Sequence, residues 1–281
     1  MAVSRRAVLK GFAAVGVGAV AGAGSYGYLA ERHELELTRA NVPVVGLPAA
    51  LSGLRIGLIT DVHRSRWVSD DDVSRAVSTL MFEQPDLIVL GGDYVTWGSR
   101  QYVAPAAEAL RPLSAPHGVF GILGNHDDDH DMPAALARTG VQVLKDARTR
   151  LTIGGEALDL VGVRFWTKRS RDIAALSRGA DGTVILLAHD PRRLAEASAL
   201  KIPLVLSGHT HGGQVVLPMV GAIAARKFSP PVPLMAGIGR RADTTIFVSR
   251  GVGTIYVPVR VNCPPEVAVL TLRRDGAVTN V

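Results

Sequence analysis

The sequence contains a single cysteine, Cys263. An intramolecular disulfide is therefore excluded, and the stability of the folded chain must come from its core. We interpret Cys263 as a small packed residue rather than a reactive thiol. The sequence has no low-complexity tract and no repeat of fixed period, which argues against a repeat architecture. It also lacks a cluster of basic and aromatic residues of the kind found in nucleic-acid-binding modules, so we expect no nucleic-acid partner.

What is present is the composition of a folded protein. Of the 281 residues, 47% are hydrophobic and 20% are charged. A chain of this length is near the upper size for a single hydrophobic core, so we expect one domain with a leader. The net charge of +6 suits an anionic partner, such as a phosphorylated polymer or lipid head groups.

Residues 1–30 differ in character from the rest of the chain. Two adjacent arginines, Arg5 and Arg6, precede a Gly- and Ala-rich apolar stretch at 12–30, whose hydrophobicity is mild for a membrane helix. This pattern resembles a twin-arginine export signal. The alternatives are an uncleaved membrane anchor and a soluble helix, and the many glycines disfavour the soluble helix. We expect an extracytoplasmic protein that is secreted, wall-associated or membrane-anchored.

Five apolar, β-rich stretches each end in a polar cluster. They cover residues 55–60, 86–90, 118–123, 183–187 and 203–206. Continuous apolar runs of this length predict strands that are buried on both faces. Residues 70–81, 132–138 and 192–200 have helical spacing of apolar residues and lie between strands. This alternation predicts α/β layering, with the carboxyl ends of the strands, and all five polar clusters, at one edge of a sheet.

A second group of strands does not alternate with helices. Residues 151–155 and 157–163 predict a hairpin, and residues 214–217, 245–249, 253–257 and 266–272 predict short strands. Together they indicate a second sheet packed against the first. The predicted fold is an α/β protein, a four-layer α/β/β/α sandwich of two mixed β-sheets flanked by helices. Its domain covers 51–281, and a linker and an edge strand (34–41) lie within 31–50.

The five polar clusters supply carboxylates, an amide and imidazoles. They contain Asp61, His63, Asp93, Asn125, His126, Asp127, His189, His209 and His211. Such a mixed ligand set suits Mn, Fe or Zn rather than Ca or a thiolate site. The set is too large for one ion, and two divalent ions that share a bridging carboxylate would accommodate it.

Two divalent ions about 3.5 to 4 Å apart suit phosphate-ester hydrolysis. Their charge lowers the pKa of a bridging water toward neutrality, and their open positions bind the phosphate oxygens. Hydroxide is then the nucleophile. A general acid is still needed to protonate the leaving alkoxide.

The motifs Asp61-x-His63, Gly92-Asp93, 124–127, His189 and 208–211 occur in this order. The set resembles the calcineurin-like metallophosphoesterase superfamily, and the leader resembles that of its bacterial twin-arginine-exported phosphodiesterase branch. The resemblance implies the following roles. Asp61, His63 and His211 would bind the first metal, Asn125, His189 and His209 would bind the second, and Asp93 would bridge them. His126 would protonate the leaving group or contact the phosphate, and Asp127 would hold its imidazole in the correct tautomer.

Two stretches beside these motifs depart from the usual family sequence. Many members carry another acidic residue shortly after the Gly-Asp pair, whereas this chain continues with Tyr94 and Trp97, and its first motif is followed by Arg64, Arg66 and Trp67. These five residues either bind a phosphorylated substrate by charge and stacking or are ordinary rim residues.

Residues 217–239 form an apolar, proline-rich segment directly after the metal histidines. The segment is either a lid or apolar shelf that accepts a lipid chain, or a packed connection between sheets. Arg226, Lys227, Arg240 and Arg241 flank it and would suit an anionic head group.

The sequence thus predicts an exported metal-dependent phosphohydrolase. We expect a phosphodiesterase that acts on a phosphorylated small molecule, lipid or wall polymer, with possible membrane or cell-wall association. One alternative is a pyrophosphohydrolase of a nucleotide-linked lipid precursor, whose cytoplasmic substrate conflicts with the leader. Others are a monoesterase and a non-catalytic protein that binds envelope polymer on the same fold.

Overall fold

The computed structural model describes residues 5–166, 170–228 and 230–275. Its helices are α1 (Arg5–Leu29), α2 (Asp70–Phe82), α3 (Val103–Leu110), α4 (Asp131–Ala137), α5 (Ser170–Ser177) and α6 (Leu194–Ala199). Its strands are β1 (Glu36–Val44), β2 (Arg55–Ile59), β3 (Leu87–Leu90), β4 (Val119–Gly121), β5 (Gln142–Val143), β6 (Ala147–Ile153), β7 (Glu156–Val163), β8 (Thr183–Ala188), β9 (Leu204–Ser207), β10 (Val216–Leu217), β11 (Gly221–Ala222), β12 (Gly237–Arg241), β13 (Thr244–Val248) and β14 (Glu266–Arg274).

The first sheet has the strand order β1-β14-β2-β3-β4-β5. Strands β2 to β5 are parallel, β14 is antiparallel to β2, and β1 is parallel to β14. Strand β1 pairs with β14 from Glu36 to Val44. The edge strand predicted at 34–41 is therefore confirmed, and it belongs to this sheet.

The second sheet has the strand order β12-β13-β9-β8-β7-β6. Its four central strands are parallel, and the outer strands β6 and β12 are antiparallel to their neighbours. Strands β6 and β7 form the predicted hairpin, and the first of them begins earlier than predicted, at Ala147.

The two sheets pack face to face. Leu58 of β2 and Leu204 and Leu206 of β9 belong to one buried cluster between the sheets, whereas Val205 of β9 packs under the helices on the outer face. Helices α2, α3 and α4 cover the first sheet, and α5 and α6 cover the second. This arrangement confirms the four-layer sandwich, and it explains why the central strands are apolar on both faces.

Helix α2 confirms the helix predicted at 70–81. The Ser69 hydroxyl accepts the backbone N–H of Asp72, and the Asp72 carboxylate accepts the backbone N–H of Ser69, which forms a capping box. The helices predicted at 132–138 and 192–200 correspond to α4 and to a 3₁₀ turn (Pro191–Arg193) followed by α6. Helices α3 and α5 were not predicted.

Three of the short strands differ from the prediction. Residues 253–257 form a loop instead of a strand, because Gly253 donates its N–H to the Asp61 carbonyl (2.7 Å) and packs against Val62. Residues 266–272 lie in β14, which joins the first sheet rather than the second. Within 214–217, β10 is the strand and pairs with β11 outside both sheets, and Val215 makes a single β-bridge to Val261. Short apolar segments carry no information about their pairing partner, which explains these errors.

The leader predicted at 1–30 is helical from Arg5 to Leu29, and residues 1–4 lie outside the described part. The segment Ala13–His33 is long and apolar enough to cross a membrane, and most of its residues are exposed. A signal sequence and an anchor share these properties. At its carboxyl end, Gly27 packs against Val259, Arg260 and Val261.

Candidate metal centre

The predicted site residues lie on loops at the carboxyl ends of five strands. The loops after β2, β3 and β4 carry His63, Asp93 and Asn125, and the loops after β8 and β9 carry His189 and His209. The first three strands belong to the first sheet and the last two to the second. The prediction that all five clusters lie at one edge of one sheet is therefore wrong. They meet between the edges of two sheets, because β8 and β9 extend the sheet begun by the β6-β7 hairpin.

One group of candidate metal ligands consists of Asp61, His63 and His211. All three are buried, and their ligand atoms lie within 4.8 Å of one another. The Nε2 atom of His211 is 3.1 Å from His63 Nε2 and 3.2 Å from Asp61 Oδ1. These are the three residues assigned to the first metal.

A second group consists of Asp93, His189 and His209, whose ligand atoms also lie within 4.8 Å of one another. Asp93 Oδ2 is 3.1 Å from His189 Nε2 and 3.5 Å from His63 Nε2. One carboxylate oxygen therefore lies between the two groups, as a bridging ligand must. Asn125 Oδ1 is buried and has no hydrogen-bond partner among the described residues, so it is an acceptor free to bind a cation.

One of the histidines, His189, is held in the tautomer that metal binding requires. The Nδ1 atom of His189 lies 2.7 Å from the Gly91 carbonyl oxygen, to which it donates, and His63 Nδ1 lies 3.1 Å from the Thr96 hydroxyl. The Gly91 carbonyl can only accept, so His189 carries a proton on Nδ1 and its Nε2 faces the acidic groups. The Thr96 hydroxyl can donate or accept, so it does not fix the tautomer of His63. This donor set fits divalent ions with imidazole and carboxylate ligands.

The pKa values of the buried carboxylates and imidazoles in the candidate metal centre depend strongly on one another. Burial alone would raise the pKa of Asp93, but the imidazoles of His189 and His63 hold it well below its usual range. Burial would likewise lower the pKa of His189, but the carboxylates of Asp93 and Asp61 raise it to about 10. Two buried carboxylates therefore stabilise positive charge at this place, whether it is carried by protons or by metal ions.

Five of the candidate ligands have left-handed backbone conformations. Positive φ angles occur at Asp61 (51°), His63 (48°), Asp93 (57°), His209 (71°) and His211 (52°). Such conformations are costly for residues other than glycine and persist where the surrounding structure enforces them. Close backbone packing does so here: a Cβ atom on Gly124 or Gly208 would collide with the carboxylate of Asp93 or Asp61.

His126 lies beside the two groups. Its Nδ1 accepts the backbone N–H of Trp97 (3.2 Å), and its ring stands edge-on to the Trp97 indole, with the ring centres 4.5 Å apart. Burial lowers the pKa of His126 to about 4, although Asp93 opposes this. The ring is therefore neutral at pH 7 and carries its proton on Nε2.

Asp127 does not contact the His126 imidazole, so the role predicted for it is wrong. Its Oδ2 accepts the backbone N–H groups of Asp93 (2.7 Å) and Gly124 (2.9 Å), and its Oδ1 accepts that of Tyr94 (2.8 Å). Burial and the charge of Asp93 raise its pKa to about 7, against the effect of these bonds. Asp127 ties the loop after β3 to the loop after β4, and the backbone of Trp97 sets the tautomer of His126 instead.

Residues 54–213 match the family model described as calcineurin-like phosphoesterase. The matched region contains all nine predicted site residues. The chain belongs to the calcineurin-like phosphoesterase family. Membership, together with the two ligand groups, makes it a metal-dependent phosphoester hydrolase.

Two curated members of this family match the chain over nearly its full length. Metallophosphoesterase YkuE of Bacillus subtilis (strain 168) is 32% identical over 96% of this chain and 98% of its own. Phosphodiesterase YaeI of Escherichia coli (strain K12) is 31% identical over 96% of this chain and 99% of its own. Among solved structures, the NAD nucleotidase of Haemophilus influenzae aligns with a TM-score of 0.47 at 15% identity, over 71% of this chain and 45% of that one.

The predicted rim of this phosphoesterase site differs from the observed one. Tyr94 is fully buried, and its hydroxyl donates to the Ile122 carbonyl (3.0 Å), so it is a core residue. Arg64 is bound to Asp70 (2.6 Å) and to nearby carbonyl groups, so its guanidinium holds the loop before α2. Trp67 and Trp97 are exposed, as predicted for rim residues.

A cavity of about 440 Å³ opens onto the metal centre. Asp93, His126 and His209 line its polar side. The other side is formed by residues of the 217–239 segment and of the 255–257 loop, namely Ile223, Ala224, Lys227, Phe228, Ile255, Tyr256 and Val257. Part of the proline-rich segment is therefore an apolar wall of the cavity. Arg226, which was predicted to flank it, has a side chain outside the described residues.

Arg260 was not predicted as a functional or structural residue. Its side chain is completely buried, and it donates to the carbonyl groups of Arg250 (2.8 Å), Gly251 (2.9 Å) and Cys263 (3.0 Å). A Cβ on Gly251 would collide with the side chain of Asp61. Arg260 thus stabilises the loop at 250–264, in which Gly251 packs against the candidate ligand Asp61.

Proposed function

We propose that this protein is an exported phosphodiesterase that uses two divalent ions to hydrolyse a phosphorylated component of the cell envelope or a lipid. The observation that carries the proposal is the position of Asp93, whose Oδ2 lies 3.1 Å from His189 and 3.5 Å from His63. A carboxylate between two ligand groups is the arrangement that a dinuclear hydrolase needs.

Each ion would have its own protein ligands and one shared ligand. Asp61, His63 and His211 would hold the first, and Asn125, His189 and His209 would hold the second, with Asp93 common to both. Two such ions supply Lewis acidity toward phosphate oxygens and lower the pKa of water to near neutrality. The mixed donor set is suited to Mn, Fe or Zn.

His126 is a hydrogen-bond donor in this proposal. Because its Nδ1 accepts the Trp97 N–H, the proton of the neutral ring is on Nε2. His126 lines the cavity, so this N–H can donate a hydrogen bond to a phosphate oxygen or to the leaving oxygen as negative charge develops on it. The alkoxide then takes its proton from water. Asp127 acts through the backbone, since it fixes the loops that carry Asp93 and His126.

The shape of the cavity favours a diester. A phosphodiester has an organic group on each side of one negatively charged phosphate. One group would lie against the apolar wall of Ile223 and Phe228, and the other would leave toward His126. The relative named phosphodiesterase YaeI supports this reaction type.

Export is proposed from the amino-terminal sequence. Arg5 and Arg6 precede the apolar helix α1, as in a twin-arginine leader. An enzyme delivered by this route would meet envelope phosphodiesters rather than cytoplasmic precursors. The net charge of +6 favours association with such anionic material.

The test is hydrolysis by the full chain, kept in detergent, stripped of metal and then given Mn, Fe or Zn. The substrates are an activated aryl phosphodiester and the matching monoester. We expect metal-dependent turnover with the diester preferred. Preference for the monoester would contradict the diester assignment, and bound metal without turnover of either ester would favour a binding protein.

A further inference from the structure

One surface of the molecule combines exposed aromatic side chains with the carboxyl-terminal end of helix α1. We call it the aromatic face, and its members are Trp67, Trp97, Tyr256, Val257 and the hairpin at 216–222. The side chain of Trp97 is 67% exposed and that of Tyr256 is 72% exposed, and Met219 at the hairpin tip is fully exposed. Large apolar groups concentrated on one surface mark an interaction site.

The aromatic face is continuous with α1. The ring of Tyr28, near the end of the helix, packs edge-on against Trp67, with centres 6.3 Å apart. Gly27 accepts the backbone N–H of Arg260 (3.2 Å) and packs against Val261. Val261 in turn accepts the backbone N–H of Val216, the first residue of the hairpin (2.9 Å).

The length of α1 matches a bilayer. The helix has 25 residues, so at about 1.5 Å per residue it is about 37 Å long and spans a hydrocarbon core of about 30 Å. Its charged residues are Arg5, Arg6 and Lys10, at the end remote from the aromatic face. A helix inserted in a membrane would therefore bring the aromatic face to the membrane surface.

The chemistry of the aromatic face suits the lipid interface. The guanidinium of Arg66 lies 4.6 Å from the ring centre of Trp67, and the Lys227 ammonium lies 5.4 Å from that of Tyr256. The groove between Trp67 and Tyr256 has no acidic side chain among the described residues that line it. Tryptophan and tyrosine beside basic residues are enriched where proteins meet anionic head groups.

The aromatic face also borders the candidate active site. Trp97 contacts His126 on one side, with ring centres 4.5 Å apart, and Tyr256 on the other, at 5.6 Å. Tyr256 and Val257 line the cavity. The mouth of the cavity is therefore at this surface.

We propose that the aromatic face lies on an anionic lipid bilayer, with the mouth of the cavity at the head-group level, so that the substrate is a phosphodiester embedded in the membrane. The claim that the substrate is embedded in the membrane (the substrate part) rests on the proposed function. The claim that the aromatic face lies on the bilayer (the docking part) does not. Wall polymer or a partner protein would be a different occupant of the same face.

The docking part is tested by tryptophan quenching in vesicles of phosphatidylglycerol and phosphatidylcholine. The full chain is prepared with Trp67→Phe and Trp166→Phe, which leaves Trp97 as the probe. The matched control carries Trp97→Phe as well, together with Phe82→Trp. Phe82 is also exposed (86%), but it ends α2 next to the start of β2, at the opposite edge of the sheet from the site.

Lipids brominated near the head group should quench the fluorescence of Trp97. They should leave the fluorescence of the Phe82→Trp control unquenched. The proposal would be overturned by vesicle-bound protein with no quenching at 97, by equal quenching at both positions, or by protein that does not float with vesicles. Quenching requires no turnover, so this result is independent of whether the enzyme is a phosphodiesterase.

The substrate part is tested with Met219→Asp, which changes the hairpin tip and does not line the cavity. We expect it to reduce hydrolysis of a vesicle-borne diester at least 10-fold and hydrolysis of a water-soluble diester less than 2-fold. Phe82→Asp, the matched control, should change neither rate. Equal rates of Met219→Asp and the parent chain on vesicles would contradict a membrane-embedded substrate.

Discussion

The Nε2 atoms of His63 and His211 lie 3.1 Å apart in the interior of the protein. Two imidazole nitrogens can face each other at this distance only with a proton or a cation between them. His63 follows β2 of the first sheet, and His211 follows β9 of the second. An ion bound by both histidines would therefore connect the two sheets.

The first prediction is that metal binding stabilises the fold. A ligand at 100 times its Kd contributes about 2.7 kcal/mol, which for a domain of this size raises Tm by roughly 5–10 °C. Differential scanning fluorimetry of the full chain, with and without chelator, measures this shift. His211→Ala should lose most of it, and His117→Ala, which changes a histidine before β4, should keep it. A full shift in His211→Ala would contradict the ligand assignment.

Substitution of His126 should slow the hydrolysis of esters with poor leaving groups more than that of esters with good leaving groups. Because the Nε2–H of His126 can donate a hydrogen bond to the leaving oxygen, His126→Ala should lose about 10²- to 10³-fold in rate on alkyl esters and much less on nitrophenyl esters, with its metal content unchanged. The dependence of kcat on leaving-group pKa is the measurement. His130→Ala changes a nearby exposed histidine and serves as control. Equal losses on both ester types would show that His126 does not act on the leaving group.

Asp127 gives a prediction about loop structure. Both of its oxygens accept backbone N–H groups, and in Asp127→Asn an NH₂ group must replace one of them. We expect metal affinity to fall about 10- to 100-fold, as for other groups that orient ligands, with the leaving-group dependence unchanged. Asp128→Asn is the control, because Oδ1 of Asp128 accepts backbone N–H groups and its Oδ2 has no hydrogen-bond partner among the described residues. A change in the leaving-group dependence of Asp127→Asn would instead support the original prediction that Asp127 holds the His126 imidazole in its tautomer.

Arg260 gives a prediction about stability. Arg260→Met removes the donor from the carbonyl groups of Arg250, Gly253 and Cys263, which should cost about 3 kcal/mol or more and lower Tm by roughly 6–12 °C. Arg241→Met, at an exposed position on β12, should have little effect. The measurement is thermal unfolding at saturating metal. An unchanged Tm would mean that the buried guanidinium contributes nothing to the 250–264 loop.

The sequence predicted most of the fold because the central strands are continuous apolar runs. The run at 203–206 is apolar at every position, and the structure explains this, since Leu204 and Leu206 face the other sheet while Val205 faces the helices. Pairing was less predictable. Nothing in residues 266–272 indicates that they insert between β1 and β2, because this pairing joins segments that are far apart in the chain.

Within the site, the sequence identified polar side chains but not their contacts. The family motifs placed Asp127 beside His126 in the chain, but the turn between β4 and α4 directs the carboxylate to the backbone of Asp93 and Tyr94 instead. Tyr94 was predicted at the rim, yet it is a core residue. Arg260 lies far from every motif in the sequence, and only the folded loop shows its role.

The central claim is that Asp93 joins two metal ions, and the most direct measurement is the metal content and diesterase rate of Asp93→Ala. Asp159→Ala is the control, because Asp159 is also a fully buried carboxylate but pairs with Arg150 on β6. Mass spectrometry should find two ions per chain in the parent protein and in the control, and fewer than two in Asp93→Ala, whose rate should fall at least about 100-fold. An Asp93→Ala protein with two ions and normal turnover would contradict the account.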